Sequence, residues 1–223
     1  MNGFFSSISN IFDIVGTTCW ESRRKGSQAL VAIVFSCVGL EAFINLLAEI
    51  GRKNEFKDSP KELLALQALL YELESSRESL ATKYSVVPIV LHSEPFDKGS
   101  LPYQDFDCLL SIRNALVHSR PDRFQAIEDG SGFSKQQPNF INHLASRKII
   151  TKPKDTCLES WAGLISHKQV AVWAQQTACD MIKEVLSFMP ACKTKLFLES
   201  MAPSTERTKK KMAKTANTHW RVL

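Results

Sequence analysis

The residues best suited to chemistry lie near the end of one predicted helix, where Arg113 and Asn114 are followed by His118. Arginine offers fixed N–H donors that match phosphate oxygens, and histidine can exchange a proton near neutral pH. Arg113 lies four residues after Leu109 and four before Val117, so it falls within the apolar stripe of its helix. Because an unpaired buried charge is costly, this position predicts an acid or water beside the guanidinium.

The spacing also sets how the three side chains relate around the helix. Asn114 and His118 are four residues apart and share a face, whereas Arg113 and His118 are separated by about 140°. A kink at the frayed helix end would bring Arg113 and His118 together. The helix C-terminus favours a charged imidazole, and nearby Arg113, Arg120 and Arg123 oppose it, so the balance stays open.

Glu41 is the acid predicted to pair with Arg113, because residues 28–50 form the most apolar stretch and Glu41 is the acid in its interior, with Glu49 near its end. Asn45 lies one turn further on the same face and, with Asn114, could satisfy the remaining donors. Two interpretations follow. Arg113 and His118 belong to a working site supported by Glu41 and Asn45, or Arg113 and Glu41 form a buried ion pair while His118 only caps its helix.

The apolar periodicity predicts an all-α fold in which an antiparallel four-helix bundle carries an irregular insertion between the third and fourth long helices. The four long helices are predicted at residues 28–50, 59–83, 103–119 and 166–188, and the insertion at about 122–165. A short further helix is expected at 192–201.

Local signals set the predicted helix boundaries. Ser59 with Glu62, and Ser166 with Gln169, each fit a capping box at a helix start, and Gly51 is expected to cap the end of the apolar helix.

Turn-forming residues and composition divide the rest of the chain. Residues 86–102 contain three prolines and are predicted to form a loop, and residues 148–151 a short strand. The expected organisation is a short N-terminal helix with a basic linker at 1–26, a helical domain at 27–202 and a basic flexible tail at 203–223.

Composition narrows the class of protein. Apolar residues make up 44% and charged residues 23%, as in ordinary soluble domains, and the net charge of +5 mildly favours an anionic partner. The six cysteines are scattered singly, which predicts free thiols in a reducing, cytoplasmic setting. We expect no metal or cofactor, because no closely spaced ligand set or glycine-rich phosphate loop is present. The longest apolar run, about twelve residues, is too short to span a membrane.

Residues 111–118, Ser-Ile-Arg-Asn-Ala-Leu-Val-His, resemble the motif of the HEPN superfamily. In that motif an arginine, usually followed by a polar residue, precedes a histidine with four to six intervening positions, and here there are four. Residues 39–45, GLEAFIN, also resemble the first core helix of such proteins. The resemblance covers roughly residues 27–190, and its specific part is the eight-residue motif.

The resemblance implies a four-helix bundle that dimerises and places two Arg/His motifs in one cleft. Many HEPN proteins are metal-independent endoribonucleases, including toxins and antiviral effectors. By this resemblance His118 is expected to be a general acid or base, Arg113 to bind the scissile phosphate, and Asn114 to orient either the pair or the RNA. RNA is then the substrate, and Arg120 and Arg123 either contact its backbone or form a solvated turn.

Other functions remain open from the sequence. The main alternative is a non-catalytic HEPN-like module that recruits a protein, nucleotide or RNA partner. A further one is a nucleotidyl-transfer target or a protein bound by an antitoxin or defence partner. The other histidines in and around the predicted loops, His92, His143 and His167, are expected to be surface polar residues, and Trp173 is expected in the core.

Overall fold

The computed structural model describes residues 2–22, 26–53, 55–56, 59–118, 123–126, 133–151 and 159–202. Within these residues the chain forms helices and one short hairpin: α1 (Asn2–Glu21), α2 (Ser27–Arg52), α3 (Lys61–Ser75), α4 (Leu80–His92), α5 (Tyr103–Val117), β1 (Arg123–Ala126), β2 (Phe133–Gln136), α6 (Asn139–Ser146), α7 (Trp161–Ile165), α8 (Lys168–Phe188) and α9 (Lys193–Met201). The predicted helical fold class is therefore confirmed, with a small β element added.

The apolar helix α2 forms the centre of the protein. It contacts α1, α3, α5 and α8, and thirteen of its residues are buried. By length and composition α2 could cross a membrane, the one described helix that passes this test, and 56% of its most apolar window is buried inside the protein. A helix that is apolar nearly all round is typical of such a central position.

The N-terminal helix α1 packs directly on α2. The ring of Phe12 lies against Gly39, where an added Cβ would come 2.7 Å from the ring. One turn and two turns later, Val15 and Cys19 join a small apolar cluster that includes Ala29 of α2 and Ala171 of α8. The second half of α1 therefore contributes to the core through Phe12, Val15 and Cys19.

The second predicted long helix is two helices. α3 ends at Ser75, Arg77 adopts a left-handed φ of 58°, and α4 begins after Ser79, whose side chain accepts a hydrogen bond from the Thr82 amide. The predicted loop at 86–102 is wrong for residues 86–92, because α4 continues through Pro88. Burial of Tyr84, Val87 and the proline ring itself outweighs the loss of one helical hydrogen bond.

The capping signals were less informative than the periodicity. The predicted cap Ser59 instead bonds Thr194 and the Phe56 carbonyl, and Ser166 donates to the Ala162 carbonyl. Pro60 and His167 occupy the N-cap positions of α3 and α8, and neither supplies a side-chain cap. Both predicted capping boxes are therefore wrong.

Gly51 does not end α2, which continues to Arg52. An added Cβ at Gly51 would lie 2.3 Å from Cβ of Gln67, so the glycine allows α3 to approach α2 closely. Gln67 is 1% exposed, and neither polar atom of its amide has a hydrogen-bond partner within the described structure.

The predicted insertion contains more regular structure than expected. β1 and β2 pair antiparallel, with Arg123 opposite Gln136, and the helices α6 and α7 follow. The predicted strand at 148–151 is wrong, because these residues form bends and irregular backbone after α6. Ile149 and Ile150 are partly buried against the main core, which explains their apolar character without a strand.

We expect the substitution Gln67→Met to raise the free energy of unfolding by about 1–2 kcal/mol, because it removes two unpaired buried polar atoms at nearly constant shape. Urea unfolding followed by circular dichroism measures the change. Gln104→Met, at an exposed position of α5, is the matched control and should change stability by less than about 0.5 kcal/mol. A destabilised Gln67→Met protein would contradict the unpaired state of the amide.

Candidate functional site at the end of α5

The core-facing side of α5 fixes the position of the Arg/His motif. Phe106, Leu109 and Ile112 are fully buried, and α5 contacts both α2 and α8. The ring of Tyr84 lies 5.0 Å from that of Phe106, and its hydroxyl donates to the Leu40 carbonyl. These contacts hold the body of α5 rigidly, so its last turn has a defined place.

Arg113 and Asn114 meet at this last turn. Nη1 of Arg113 donates a hydrogen bond of 3.1 Å to Oδ1 of Asn114. Arg113 is half-buried and Asn114 is exposed. One amide oxygen occupies one donor, and no other described residue accepts a hydrogen bond from the remaining N–H groups of the guanidinium.

His118 is the C-cap residue of α5 and is exposed. Its backbone N–H bonds the Asn114 carbonyl at 3.0 Å, which fixes the backbone of the motif as one continuous turn. No hydrogen bond joins the imidazole to Arg113 or to any other described residue. The structure therefore brings Arg113 and Asn114 together and places His118 one turn beyond Asn114, without a ring contact to either.

The predicted ion pair between Glu41 and Arg113 is wrong. Both residues are described, and no ion pair or hydrogen bond links them. Glu41 and Asn45 are half-buried on α2. The structure therefore does not support the interpretation in which Arg113 serves only as the partner of Glu41 in a buried ion pair.

The direction of the two helices explains why Glu41 and Arg113 do not meet. Cys37 of α2 directs its Sγ toward the Leu109 carbonyl of α5, 3.9 Å away. Further along α2, Tyr84 connects Leu40 to Phe106, which precedes Leu109 on α5. This order indicates that α2 and α5 run in opposite directions. Glu41 lies one turn, about 6 Å, beyond Cys37 along α2, and Arg113 lies one turn beyond Leu109 along α5. Because the helices are antiparallel, these two displacements point in opposite directions and separate Glu41 from Arg113.

Cys37 lies between the two charges. Burial raises the pKa of its thiol to about 12, while Arg113 lowers it and Glu41 raises it. At neutral pH Cys37 is therefore a neutral, packed thiol. The predicted free thiols are found at Cys19, Cys37, Cys108, Cys179 and Cys192, and Cys157 lies outside the described residues.

Arg120 and Arg123 are the basic residues predicted to contact RNA beside the motif. Arg120 lies outside the described residues, and Arg123 begins strand β1. Their contact with RNA stays a prediction. A strand after α5 was not expected, and it places Arg123 on a hairpin and not on a turn.

The structure also shows a polar cluster that the sequence did not reveal. Nε2 of His143 lies 2.7 Å from Oδ1 of Asp105, and Arg147 donates to Oδ2 of Asp105 at 3.3 Å. His143 was predicted to be a surface residue and is half-buried. The i, i+4 spacing of His143 and Arg147 was the available signal, but their acidic partner lies 38 residues earlier than His143.

We expect the two acid–base pairs to behave differently in double-mutant cycles. Asp105→Asn and His143→Gln should show a coupling energy of about 0.5–3 kcal/mol, because they share a partly buried contact. Glu41→Gln and Arg113→Lys should be additive within about 0.5 kcal/mol. Unfolding in urea of each single and double variant measures both couplings, and a large Glu41–Arg113 coupling would restore the pair excluded above.

The motif as a whole offers a guanidinium and an amide at a partly exposed helix end, with an imidazole at the following cap. A guanidinium binds phosphate oxygens, and an imidazole can transfer a proton near neutral pH. Among the described residues no three or more His, Cys, Asp or Glu side chains gather as a metal site would require. No family model, curated protein or solved structure matches this chain.

Proposed function

We propose that this protein is a metal-independent endoribonuclease of the HEPN type that acts as a dimer, in a toxin or antiviral defence setting. The observation that carries the proposal is the state of Arg113. Its guanidinium is held by Asn114 at the half-exposed end of α5 and is not neutralised by Glu41. A guanidinium that no acid among the described residues neutralises suits a phosphate ligand better than a structural ion pair.

The proposed reaction is attack of a ribose 2′-OH on the adjacent phosphorus. His118 accepts the 2′-OH proton as the new P–O bond forms, and Arg113 stabilises the negative charge on the phosphate oxygens. The 5′-oxygen leaves and takes a proton from a second imidazole. The products are a 2′,3′-cyclic phosphate and a 5′-hydroxyl, so no water, metal or cofactor is consumed in this step.

A dimer would provide the second imidazole. One protomer carries a single motif, whereas a two-fold axis beside the end of α5 would place two copies of Arg113 and His118 around one phosphate. Val117, immediately before His118, is an apolar side chain 51% exposed to solvent. An exposed apolar residue beside polar groups fits a contact with a second copy.

The finer fold assignment is part of the same proposal. We assign α2, α3 with α4, α5 and α8 to the four positions of a HEPN bundle. In support of this, α2 contacts α3, α5 and α8, while α8 contacts α4 and α5. The break at residues 76–79 divides the second helix of that bundle.

A second candidate function is a non-catalytic module of the same fold that recruits a protein, nucleotide or RNA partner. One observation favours it: the imidazole of His118 has no hydrogen bond to Arg113 in the described structure. A catalytic pair would have to tighten when RNA binds, as apo catalytic contacts often do.

We expect the purified protein to cleave mixed RNA in the presence of EDTA. His118→Ala should lower the rate by about 10²–10⁴-fold, because it removes the proton-transfer group. Arg113→Gln should lower the rate by about 10²–10³-fold, because it removes charge stabilisation. Gel analysis of a labelled RNA with end-group mapping measures rate and products. His167→Ala, at an exposed histidine outside the motif, should cleave normally.

Equal cleavage by the wild type and His118→Ala would attribute the activity to a contaminant. An absence of cleavage by the wild type would also reject the nuclease. Binding of the intact RNA by wild-type protein, measured in the same buffer, would then favour the binding module.

Dimer formation gives a separate prediction. Val117→Arg places charge on the proposed contact and should convert the dimer to a monomer with loss of RNA cleavage, because Val117 is exposed and the fold does not depend on it. Light scattering measures mass, and circular dichroism checks the fold. Val172→Arg, at another exposed apolar position, should remain dimeric and active. A monomeric wild-type protein with full activity would contradict the shared site.

A further inference from the structure

A cleft of about 510 Å³ lies between the first turn of α5 and the first half of α8. Its walls include Asp105, Arg147 and Lys168 together with apolar side chains. The cleft is distinct from the Arg/His motif, because Asp105 precedes Arg113 by eight residues, or about 12 Å along α5. Its volume lies within the range of small-molecule sites.

The two carboxylates on the cleft wall already accept hydrogen bonds from side chains of the protein. Both oxygens of Asp105 are occupied, one by His143 and one by Arg147. The other acid of the cleft, Asp180, accepts hydrogen bonds from Gln176 and Lys183. Asp105 has one donor on each oxygen, and both donors to Asp180 lie on its Oδ1. Because each carboxylate faces donors of the protein, its repulsion of a bound anion is reduced.

The cations are less fully used. Lys168 has no acidic partner within the described structure. The side chain of Arg147 is 39% exposed, and Asp105 engages one of its nitrogens, while no other described residue engages the rest. Asp105 thereby orients Arg147 toward the cleft without neutralising all its donors.

The first turn of α8 lines the cleft through Lys168 and Gln169, and the N-cap residue His167 supplies no side-chain acceptor to it. The N-terminus of α8 is the positive end of its helix dipole, so it favours an anion in the cleft as Lys168 and Arg147 do.

The remaining wall is apolar. Leu101 and Val172 are 47% and 45% exposed at the cleft, although both are large hydrophobic side chains. Ile149 and the indole of Trp173 continue this surface. Covering exposed apolar groups in a concave space with a ligand removes them from water, which lowers the free energy of the complex.

We propose that this cleft binds a small organic anion, with its carboxylate or phosphate group on Arg147 and Lys168 and its apolar body against Leu101, Val172 and Trp173. The site is independent of the proposed RNA chemistry, because it shares no residue with the motif. Asp105 and His143 act as positioning residues for Arg147.

The test is calorimetric titration of the full chain with benzoate, phenyl phosphate, inorganic phosphate and uncharged benzyl alcohol. An aromatic anion should bind more tightly than either inorganic phosphate or benzyl alcohol, and comparison of benzoate with phenyl phosphate identifies the preferred head group. Lys168→Gln and Arg147→Gln should each weaken binding by about tenfold or more, because each removes a charge-assisted contact. Val172→Trp should block binding by filling the cleft from its rim.

Lys61→Gln is the matched control, since Lys61 is an exposed lysine at the first position of α3 as Lys168 is at the first position of α8. It should leave binding unchanged, as should His118→Ala. Failure of both aromatic anions to bind would overturn the proposal. Binding that survives both Lys168→Gln and Val172→Trp, in variants that circular dichroism shows to be folded, would also overturn it.

Discussion

Burial of the apolar surface of α2 is the interaction on which the rest of the structure depends. Thirteen α2 residues are buried, and the helix contacts α1, α3, α5 and α8. Each large apolar side chain buried in this way contributes about 1.5–3 kcal/mol. Because these four helices pack on one central helix, their positions relative to one another are set by their contacts with α2.

The orientation of α5 against α2 decides what Arg113 can do. Cys37 and Leu109 meet at the centre of the interface, and the helices run in opposite directions from that point. Glu41 and Arg113 then lie on opposite sides of the contact, although each is one turn from it. The acid in the interior of the apolar stretch of α2 is thus kept from Arg113, and the guanidinium bonds its own neighbour Asn114 at the helix end.

The sequence predicted the fold well where the apolar periodicity was long. The boundaries of α2, α5, α8 and α9 fall within about two residues of the prediction. The prediction failed where tertiary packing overrode local signals. Pro88 lies inside α4 because the proline and its preceding neighbour Val87 are buried against the core. Ser59 and Ser166 bond other groups in preference to helix amides. The β1–β2 hairpin lacks a long alternating pattern, and its local signal, the Asp129-Gly130 pair in the sequence between the strands, predicted only a turn.

Prediction of functional residues was limited by the same physics. Arg113, Asn114 and His118 belong to one helical segment, so their relation follows from helix geometry and residue type. Asp105 and His143 come from α5 and α6, and they meet only because these two helices pack together. Spacing along a chain determines contacts within a helix, whereas contacts between helices depend on crossing direction and level. The Glu41–Arg113 pair failed for this reason, and the Asp105–His143–Arg147 cluster remained hidden for the same reason. Since a single helix, α5, carries the motif at its end and Asp105 at its start, its packing on α2 and α8 positions both sites at once.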